Sequence, residues 1–345
     1  MAEKYKVIVN KLELELKRMR SEGKTKLPSE QALCEEYSCS RQTVRAALDV
    51  LLQKGLIVKK TGAGSYLADD TFASRTVFFM TEDCDRYQSP ALISGLKDQL
   101  ASYRFELKSF STGSSIKGTK EVLSRVINER PAALIIEPST DLVPDPNMRT
   151  VEEISEMGIP VIYCNSVLGS VHIAPDNVEA GKILTDHLLG TGRKKTACIF
   201  RSDSSSGRDR YQGYINALLD ADVCFDESRC LLIDHKDEQQ IIAGKDHNLA
   251  PFIDNSLFMC DAVICQNGML AYQLVKMLLG RGVSVPRDIA VACFDNSYYS
   301  SLSDCGMISA GYDNEFMFKA LAKTAAALAE GRDAGSVVVP VKVNG

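Results

Sequence analysis

From residue 77 onward the chain repeats one pattern, a short run of consecutive apolar residues followed by a longer stretch with helical spacing. The runs fall at 77–80, 133–136, 161–164, 197–200, 262–265 and 289–294, and Leu92, Leu96 and Leu100 mark one of the intervening helices. Strands that are apolar on every residue are buried on both faces, which means parallel sheets covered by helices. The roughly 270 residues involved exceed one ordinary core and imply two linked α/β subdomains. Ligands of such sheets bind beyond the carboxyl ends of the strands. Polar residues collect there: Thr81, Glu82 and Asp83 after the first run, then Glu137, Asn165, Asn267 and Asp295, with Arg208 and Arg210 expected in a loop after the 197–200 run. Carboxylates, amides and an Arg facing one cleft suit the hydroxyls of a sugar, which donate and accept hydrogen bonds together. Taken singly, an Asp or Asn after a strand is as readily a loop or helix-cap residue. Tyr87, Tyr298 and Tyr299 can stack on a sugar ring, or serve as rim or core.

The first 68 residues read differently. Tyr5, Ile8, Val9, Leu12, Leu16 and Met19 place one apolar face on a helix over about 3–21, which Gly23 stops. Pro28 and Ser29 open a short second helix that ends near Tyr37. Ser40 caps a third, with Val44, Ala47, Leu48 and Leu51 as its buried stripe and Gly55 as its C-cap. Arg41, Gln42 and Arg45 lie off that stripe near the helix start, as in a recognition helix entering the major groove, where Arg reads guanine and Gln reads adenine. Residues 56–60 and 65–67 read as two strands of a wing around Gly62 and Gly64. The candidate DNA contacts are Lys26, Ser29, Ser40, Arg41, Gln42, Thr43, Arg45, Lys60, Gly62 and Gly64. A winged helix that binds protein is the bland alternative.

Together Leu27-Pro28-Ser29-Glu30, Ser40-Arg41-Gln42-Thr43-Val44-Arg45, Gly55-Leu56 and Gly62-Ala63-Gly64-Ser65-Tyr66 resemble the GntR-family DNA-binding domain. Ala63 departs from it, since a basic residue often stands between the wing glycines. Beyond a linker at 69–75, residues 76–345 resemble the LacI/GalR effector domain, whose fold is that of the periplasmic sugar-binding proteins. The matching stretches are Asp176-Asn177-Val178-Glu179-Ala180-Gly181, His187-Leu188-Leu189, Arg210-Tyr211-Gln212-Gly213-Tyr214 and Val285-Pro286-Arg287-Asp288-Ile289 leading to Phe294-Asp295-Asn296. The resemblance carries effector contacts to Asn165, Arg210, Asn267 and Asp295. Gly268 departs from it, Asp being usual after that Asn. The candidate effector set is Glu82, Tyr87, Glu137, Asn165, Arg208, Arg210, Asn267 and Asp295. The fusion of these two modules resembles the arabinose-responsive repressors of Gram-positive bacteria. It implies a dimeric, cytoplasmic, DNA-binding repressor released by a small sugar, L-arabinose first. Another pentose, a hexose or a sugar phosphate remains an alternative.

Residues 1–70 hold 13 Lys and Arg against 10 Asp and Glu, leaving 27 against 35 in the rest, so a mildly basic head sits on an acidic body. Eleven cysteines without a Cys-x-x-Cys pair argue for a reducing compartment, and the four histidines lack metal-ligand spacing. No metal or other cofactor is expected. There is no apolar run of bilayer length and no apolar signal core, so neither a membrane span nor export is expected. An enzyme is the rival class, but Gly190-Thr191-Gly192-Arg193-Lys194-Lys195-Thr196 lacks phosphate-loop spacing and runs from helix to strand, so it reads as a helix end and turn. No Gly-x-Ser-x-Gly elbow occurs. A transport-type sugar-binding protein is the second rival, opposed by the DNA-reading head.

Overall fold

The structure is a computed structural model. It describes all residues except 1, 22–23, 55, 61–62, 69–73, 86, 143, 246–247, 296, 298, 300–305 and 345. The expectations for Gly23, Gly55, Gly62, Tyr298 and most of the 69–75 linker fall outside the described residues, as does the side chain of Tyr5.

The head is built from α1 (Ala2–Ser21), α2 (Glu30–Glu36), α3 (Arg41–Gln53), β1 (Ile57–Lys60) and β2 (Gly64–Leu67). Ser29 and Ser40 cap α2 and α3, each hydroxyl accepting from a backbone N–H three residues on, at 3.2 Å. The stripe Val44, Ala47, Leu48 and Leu51 is buried against Ile8, Val9, Leu12 and Leu16 of α1. β1 and β2 pair antiparallel, Ile57 opposite Leu67. Glu13 of α1 accepts from Lys54 at the end of α3 (2.5 Å) and from Arg130 of the body (3.2 Å), so one carboxylate touches both parts of the chain.

The body forms two six-stranded sheets. In chain order its elements are β3 (Thr76–Thr81), α4 (Ser89–Ser102), β4 (Glu106–Ser111), α5 (Ile116–Glu129), β5 (Ala133–Ile136), α6 (Met148–Glu156), β6 (Val161–Cys164) and β7 (His172–Pro175). Then come α7 (Asn177–Gly190), β8 (Thr196–Arg201), α8 (Ser205–Asp220), β9 (Cys230–Ile233), α9 (His235–Ile242), α10 (Leu249–Asn255), β10 (Ala262–Cys265) and α11 (Gly268–Gly280). The last elements are β11 (Ala290–Phe294), β12 (Ile308–Tyr312), α12 (Asn314–Ala329), β13 (Val337–Val339) and β14 (Val341–Asn344). The first sheet has the order β13-β7-β6-β5-β3-β4 and the second β14-β12-β11-β10-β8-β9. Every pairing is parallel except β12 with β14.

The chain passes between the lobes three times: from β7 into α7, from β12 into α12, and from β13 through Pro340 into β14. Helix α12 packs Met317, Leu321, Ala322, Ala325 and Ala326 into the first lobe although it follows every strand of the second lobe but β14 in sequence. Asp176 and Asp313 stand at two of the crossings and cap the helices that follow. The six strands predicted from apolar runs are all present. Six more were not singled out: β4, β7, β9, β12, β13 and β14. β4 lies at a sheet edge and alternates exposed with half-buried residues, so its sequence carries no apolar run. The expected loop holding Arg208 and Arg210 is instead the first part of α8. Ser204 caps it, and Tyr214, Ala217 and Leu218 supply its buried face. Residues 190–192 close α7 and turn, as expected.

Helices α7 and α8 meet through glycines. A Cβ on Gly213 would lie 2.1 Å from the Val178 carbonyl oxygen, and one on Gly181 would lie 2.2 Å from that of Arg210. Both obstacles are backbone and cannot swing aside. Gly213→Ala is therefore expected to lower the unfolding free energy by about 1–3 kcal/mol in urea titration, despite the better helix propensity of Ala. An unchanged midpoint would mean that the helices can separate without cost.

Candidate functional site: an inter-lobe cleft and a winged head

The carboxyl ends of the strands from both sheets open into one cleft of about 540 Å³. This is the position the doubly wound topology reserves for a ligand. From the first lobe come Glu82 after β3, Glu137 after β5 and Asn165 after β6. From the second come Arg201 at the end of β8, Asn267 after β10 and Asp295 after β11, with Arg210 from α8. Of the eight residues expected to meet an effector, seven line this cleft. Arg208 does not: it lies on the exposed face of α8, two positions from the buried Arg210 and so on another side of the helix.

Arg210 and Arg201 are the two buried arginines of the site, and Arg210 has the fuller set of partners in the second lobe. Its Nε donates to Asn177 Oδ1 (2.9 Å), its guanidinium to the Gln266 carbonyl (2.7 Å) and to Asp295 (3.5 Å), and its plane lies 4.4 Å from the centre of the Phe294 ring. Asp295 also accepts from the Tyr87 hydroxyl of the opposite lobe (3.0 Å), and the Gly268 backbone N–H donates to that same hydroxyl (3.3 Å). Glu137 accepts from Thr81 (2.8 Å) and Asn165 (2.7 Å). Burial pushes its carboxyl above the ordinary range, with the Asn165 and Thr81 hydrogen bonds opposing. Glu238 of α9 accepts from Asn267 (2.6 Å) and pairs with Arg201 (3.4 Å); burial raises it too, against the pull of Arg201.

Three non-glycine residues of the cleft hold left-handed backbone: Tyr87 (φ 58°), Asn165 (φ 56°) and Asp295 (φ 73°). Each costs about 1–3 kcal/mol, strain that collects where geometry serves a ligand. Asn165 Oδ1 is buried with no hydrogen-bond partner among the described residues. Acidic groups outnumber cationic ones on the lining: Glu82, Asp83, Glu137, Asp141, Glu238 and Asp295 against Arg201 and Arg210, with His235 beside them. Such a wall accepts hydrogen bonds from hydroxyls and repels anions. Tyr87 and Tyr299, ring centres 6.1 Å apart, and Tyr312 add aromatic surface.

The lobes touch across the cleft. Asp141 of the first accepts from the Ser205 backbone N–H (2.5 Å) and hydroxyl at the start of α8, and from Ser166 (2.6 Å). Arg201 donates to the Ser139 carbonyl (2.8 Å), and His235 meets Ser114 (3.1 Å) and Glu82 (3.4 Å). Sequence reasoning missed Arg201, Glu238, His235, Asp141 and Asn177. Arg201 was within reach, because it directly follows the 197–200 run just as Asp295 follows its own run. Glu238 and His235 ride on a helix after an edge strand that the sequence did not reveal.

In the head, Arg41 and Gln42 are exposed at the start of α3. Thr43 sits beside them, its hydroxyl 2.8 Å from that of Ser40. Arg45 is exposed and meets Glu30 at 2.9 Å, a surface pair of little weight that DNA can displace. Lys60 and Lys26 both lie over the Tyr66 ring, at 4.7 and 5.8 Å. Gly64 (φ 104°) opens the return strand of the wing in a conformation few other residues adopt. Ser29 and Ser40 spend their hydroxyls on helix caps.

A winged helix-turn-helix head on a two-lobed α/β body defines a class, and the comparisons agree. Residues 4–67 match the model of the bacterial regulatory proteins of the gntR family, and residues 185–344 match the periplasmic binding protein-like domain. The chain thus joins a gntR-family head to a periplasmic binding protein-like body. Among its relatives are the arabinose metabolism transcriptional repressors of Halalkalibacterium halodurans (28% identical, covering 81% of this chain and 76% of that one) and Geobacillus stearothermophilus (26%, 81% and 78%). Of solved structures, the transcriptional regulator CelR in complex with cellobiose superposes with TM-score 0.69 at 20% identity, over 89% of this chain and 90% of that one. The regulator CcpA of Lactococcus lactis gives 0.69 at 18% identity, over 79% and 98%. No helix among the described residues is long and apolar enough to cross a membrane.

The raised Glu137 carboxyl has a thermodynamic signature. The folded chain holds this proton to higher pH than the unfolded chain, whose value is near the ordinary 4.5. Stability therefore falls as pH rises above about 4.5 toward the folded value, and then levels. Glu137→Gln should reduce that fall, measured as urea unfolding free energy between about pH 5 and 7. Some slope should remain from Glu238, which burial shifts in the same direction. A slope unaltered by the substitution would show that Glu137 titrates normally.

Proposed function

We propose that this chain is a cytoplasmic, DNA-binding transcriptional repressor controlled by a small sugar, with L-arabinose the effector to be tried first. Residues 1–68 are read as the DNA-binding head, 69–75 as the linker and 76–345 as the sugar-sensing body. One observation carries the reading: Glu137, Asn165, Arg210, Asn267 and Asp295, from both lobes, converge on a single cleft in a chain whose head is of the gntR kind. The two repressors of arabinose metabolism named above, aligned over 81% of the chain, support arabinose, and their roles as transcription regulators support a non-enzymatic, intracellular one. The acid-rich lining favours a neutral polyol over a sugar phosphate.

Mechanistically, two subunits pair through their bodies and present two heads to the half-sites of a near-palindrome. In each head the start of α3 enters the major groove with Arg41, Gln42 and Arg45, while Thr43, Lys60 and Lys26 meet phosphates. Sugar binds the state that is poor at holding DNA, and so draws the population away from the operator. A hundredfold preference, about 2.7 kcal/mol, suffices for induction.

The deciding experiment is thermal unfolding with L-arabinose, xylose, ribose, galactose, glucose and sugar phosphates, followed by operator release. A ligand at about 100 times its Kd adds roughly 2.7 kcal/mol of stability. A selective shift with L-arabinose is the expected result. A shift with another sugar replaces the effector, and no shift with any defeats the sugar reading. Arg45→Ala is expected to cost about 1–3 kcal/mol of operator affinity with sugar binding intact, and unchanged affinity would remove Arg45 from the reading set. Arg210→Ala should bind operator and ignore sugar; a normal response from it would refute the assignment.

A further inference from the structure

The cysteines play no part in the function just described, yet two of them are exact neighbours in the second sheet. Cys198 of β8 and Cys230 of β9 are register partners on parallel strands, and both side chains pack into the same apolar cluster beneath Tyr211 and Tyr214. Neighbouring strands stand roughly 4.8 Å apart. That falls inside the window of about 4.4–6.8 Å between Cα atoms that a disulfide spans. The two thiols are not equivalent. Cys198 is fully buried on an inner strand, whereas Cys230 is only half-buried, on β9, the edge strand of the sheet, with its thiol donating to the Asp226 carbonyl (3.9 Å).

We propose that Cys198 and Cys230 form an oxidation site, in which a peroxide converts the two thiols to a disulfide and Cys230 reacts first. The Cys230 thiolate attacks one peroxide oxygen, the O–O bond breaks, hydroxide leaves and Cys230 becomes a sulfenic acid. The sulfur of Cys198 then attacks that of Cys230. The S–S bond forms, the S–O bond breaks, and the departing hydroxide with the Cys198 proton leaves as water. Two thiols and one peroxide yield one disulfide and two waters, the thiols being oxidised and the peroxide reduced.

The surroundings support this division of labour. A hydrogen bond from the Cys198 thiol, with another from the Tyr211 hydroxyl, holds Cys230 below the ordinary thiol range, against burial and the nearby carboxylates of Asp226 and Glu227. Burial pushes Cys198 well up, so it keeps the proton it donates. A second cross-strand pair offers an internal contrast. Cys265 and Cys293 are also register partners, but on the central strands β10 and β11, both fully buried and both raised by burial. They have the proximity without the access or the activation, and should stay reduced.

The test uses the full chain, folded, and needs no sugar or DNA, so it stands or falls apart from the regulatory reading. The protein is treated with hydrogen peroxide, denatured in iodoacetamide and mapped by mass spectrometry without reduction. The expected result is a peptide pair linked through Cys198 and Cys230 that dithiothreitol separates, with Cys265 and Cys293 alkylated as in the untreated protein. Linkage of Cys230 to the exposed Cys224 or to another chain would overturn the proposal. So would full alkylation of both Cys198 and Cys230. The order of reaction is read from single variants: Cys198→Ser should leave a dimedone-labelled Cys230, and Cys230→Ser should leave Cys198 unlabelled. The reverse pattern would overturn the assignment of Cys230 as the first thiol.

Discussion

A guanidinium removed from water must find replacements for the hydration it loses, and the centre of this molecule is organised around one that does. Arg210 leaves α8 to meet the side chain of Asn177 at the start of α7, the backbone of Gln266 after β10 and the carboxylate of Asp295 after β11. These partners come from the segments that build the second lobe's side of the cleft. A buried charge without them would cost several kcal/mol. The close helix contact at Gly181 and Gly213 serves the same end, since the Gly181 contact is with the backbone of Arg210 itself. Helix packing and ligand-site geometry are therefore one problem in this fold, solved by small residues on one side and a cation on the other.

Against that fixed centre, the seam between the lobes is slight. Among the described residues it includes hydrogen bonds from Ser205 to Asp141, from Arg201 to Ser139, from Tyr87 to Asp295 and between His235 and Ser114, whereas each lobe has its own apolar clusters. Polar seams with little apolar burial open at small cost, whereas cores do not. The strained backbone at Tyr87, Asn165 and Asp295 lies on the cleft walls, two residues from the first lobe and one from the second. Several of the groups that bridge the lobes, Tyr87, Asp141, Arg201, His235 and Asp295, also line the cleft.

The sequence was most legible where burial is complete. Strands such as Ala133–Ile136 and Ala262–Cys265 are apolar on every residue because both their faces are covered, and such runs are visible without a fold. The head was legible for another reason: caps, buried stripe and wing glycines are local signals, and α3 lies within one residue of its expected limits. Edge strands such as β4 and β9 were invisible because only part of each is buried, and residues positioned by them, Glu238 and His235, were lost with them. Arg208 was misplaced because a strand-to-helix loop was assumed longer than the cap at Ser204 allows. Asp141 could not have been found, because its partners are 25 and 64 residues distant, Ser166 in its own lobe and Ser205 brought to it only by the facing of the lobes.

The threading of the two lobes has a consequence for how such a chain comes into being on the ribosome. The first lobe begins at β3, yet α12, which fills one face of its core, and β13, which borders its sheet, lie beyond all of the second lobe but β14 in sequence. While residues 177–312 are being made, Phe79 of the first lobe's nascent sheet and Leu92 and Leu96 of α4 lack the α12 side chains that complete their cluster. Its completion must wait for distant residues, so the loop-closure entropy is met late. The second lobe, by contrast, has five of its six strands in hand by residue 312. Neither lobe is therefore complete until the last strands, β13 and β14, are made, and the half that emerges first is the half that waits longer for protection from premature association.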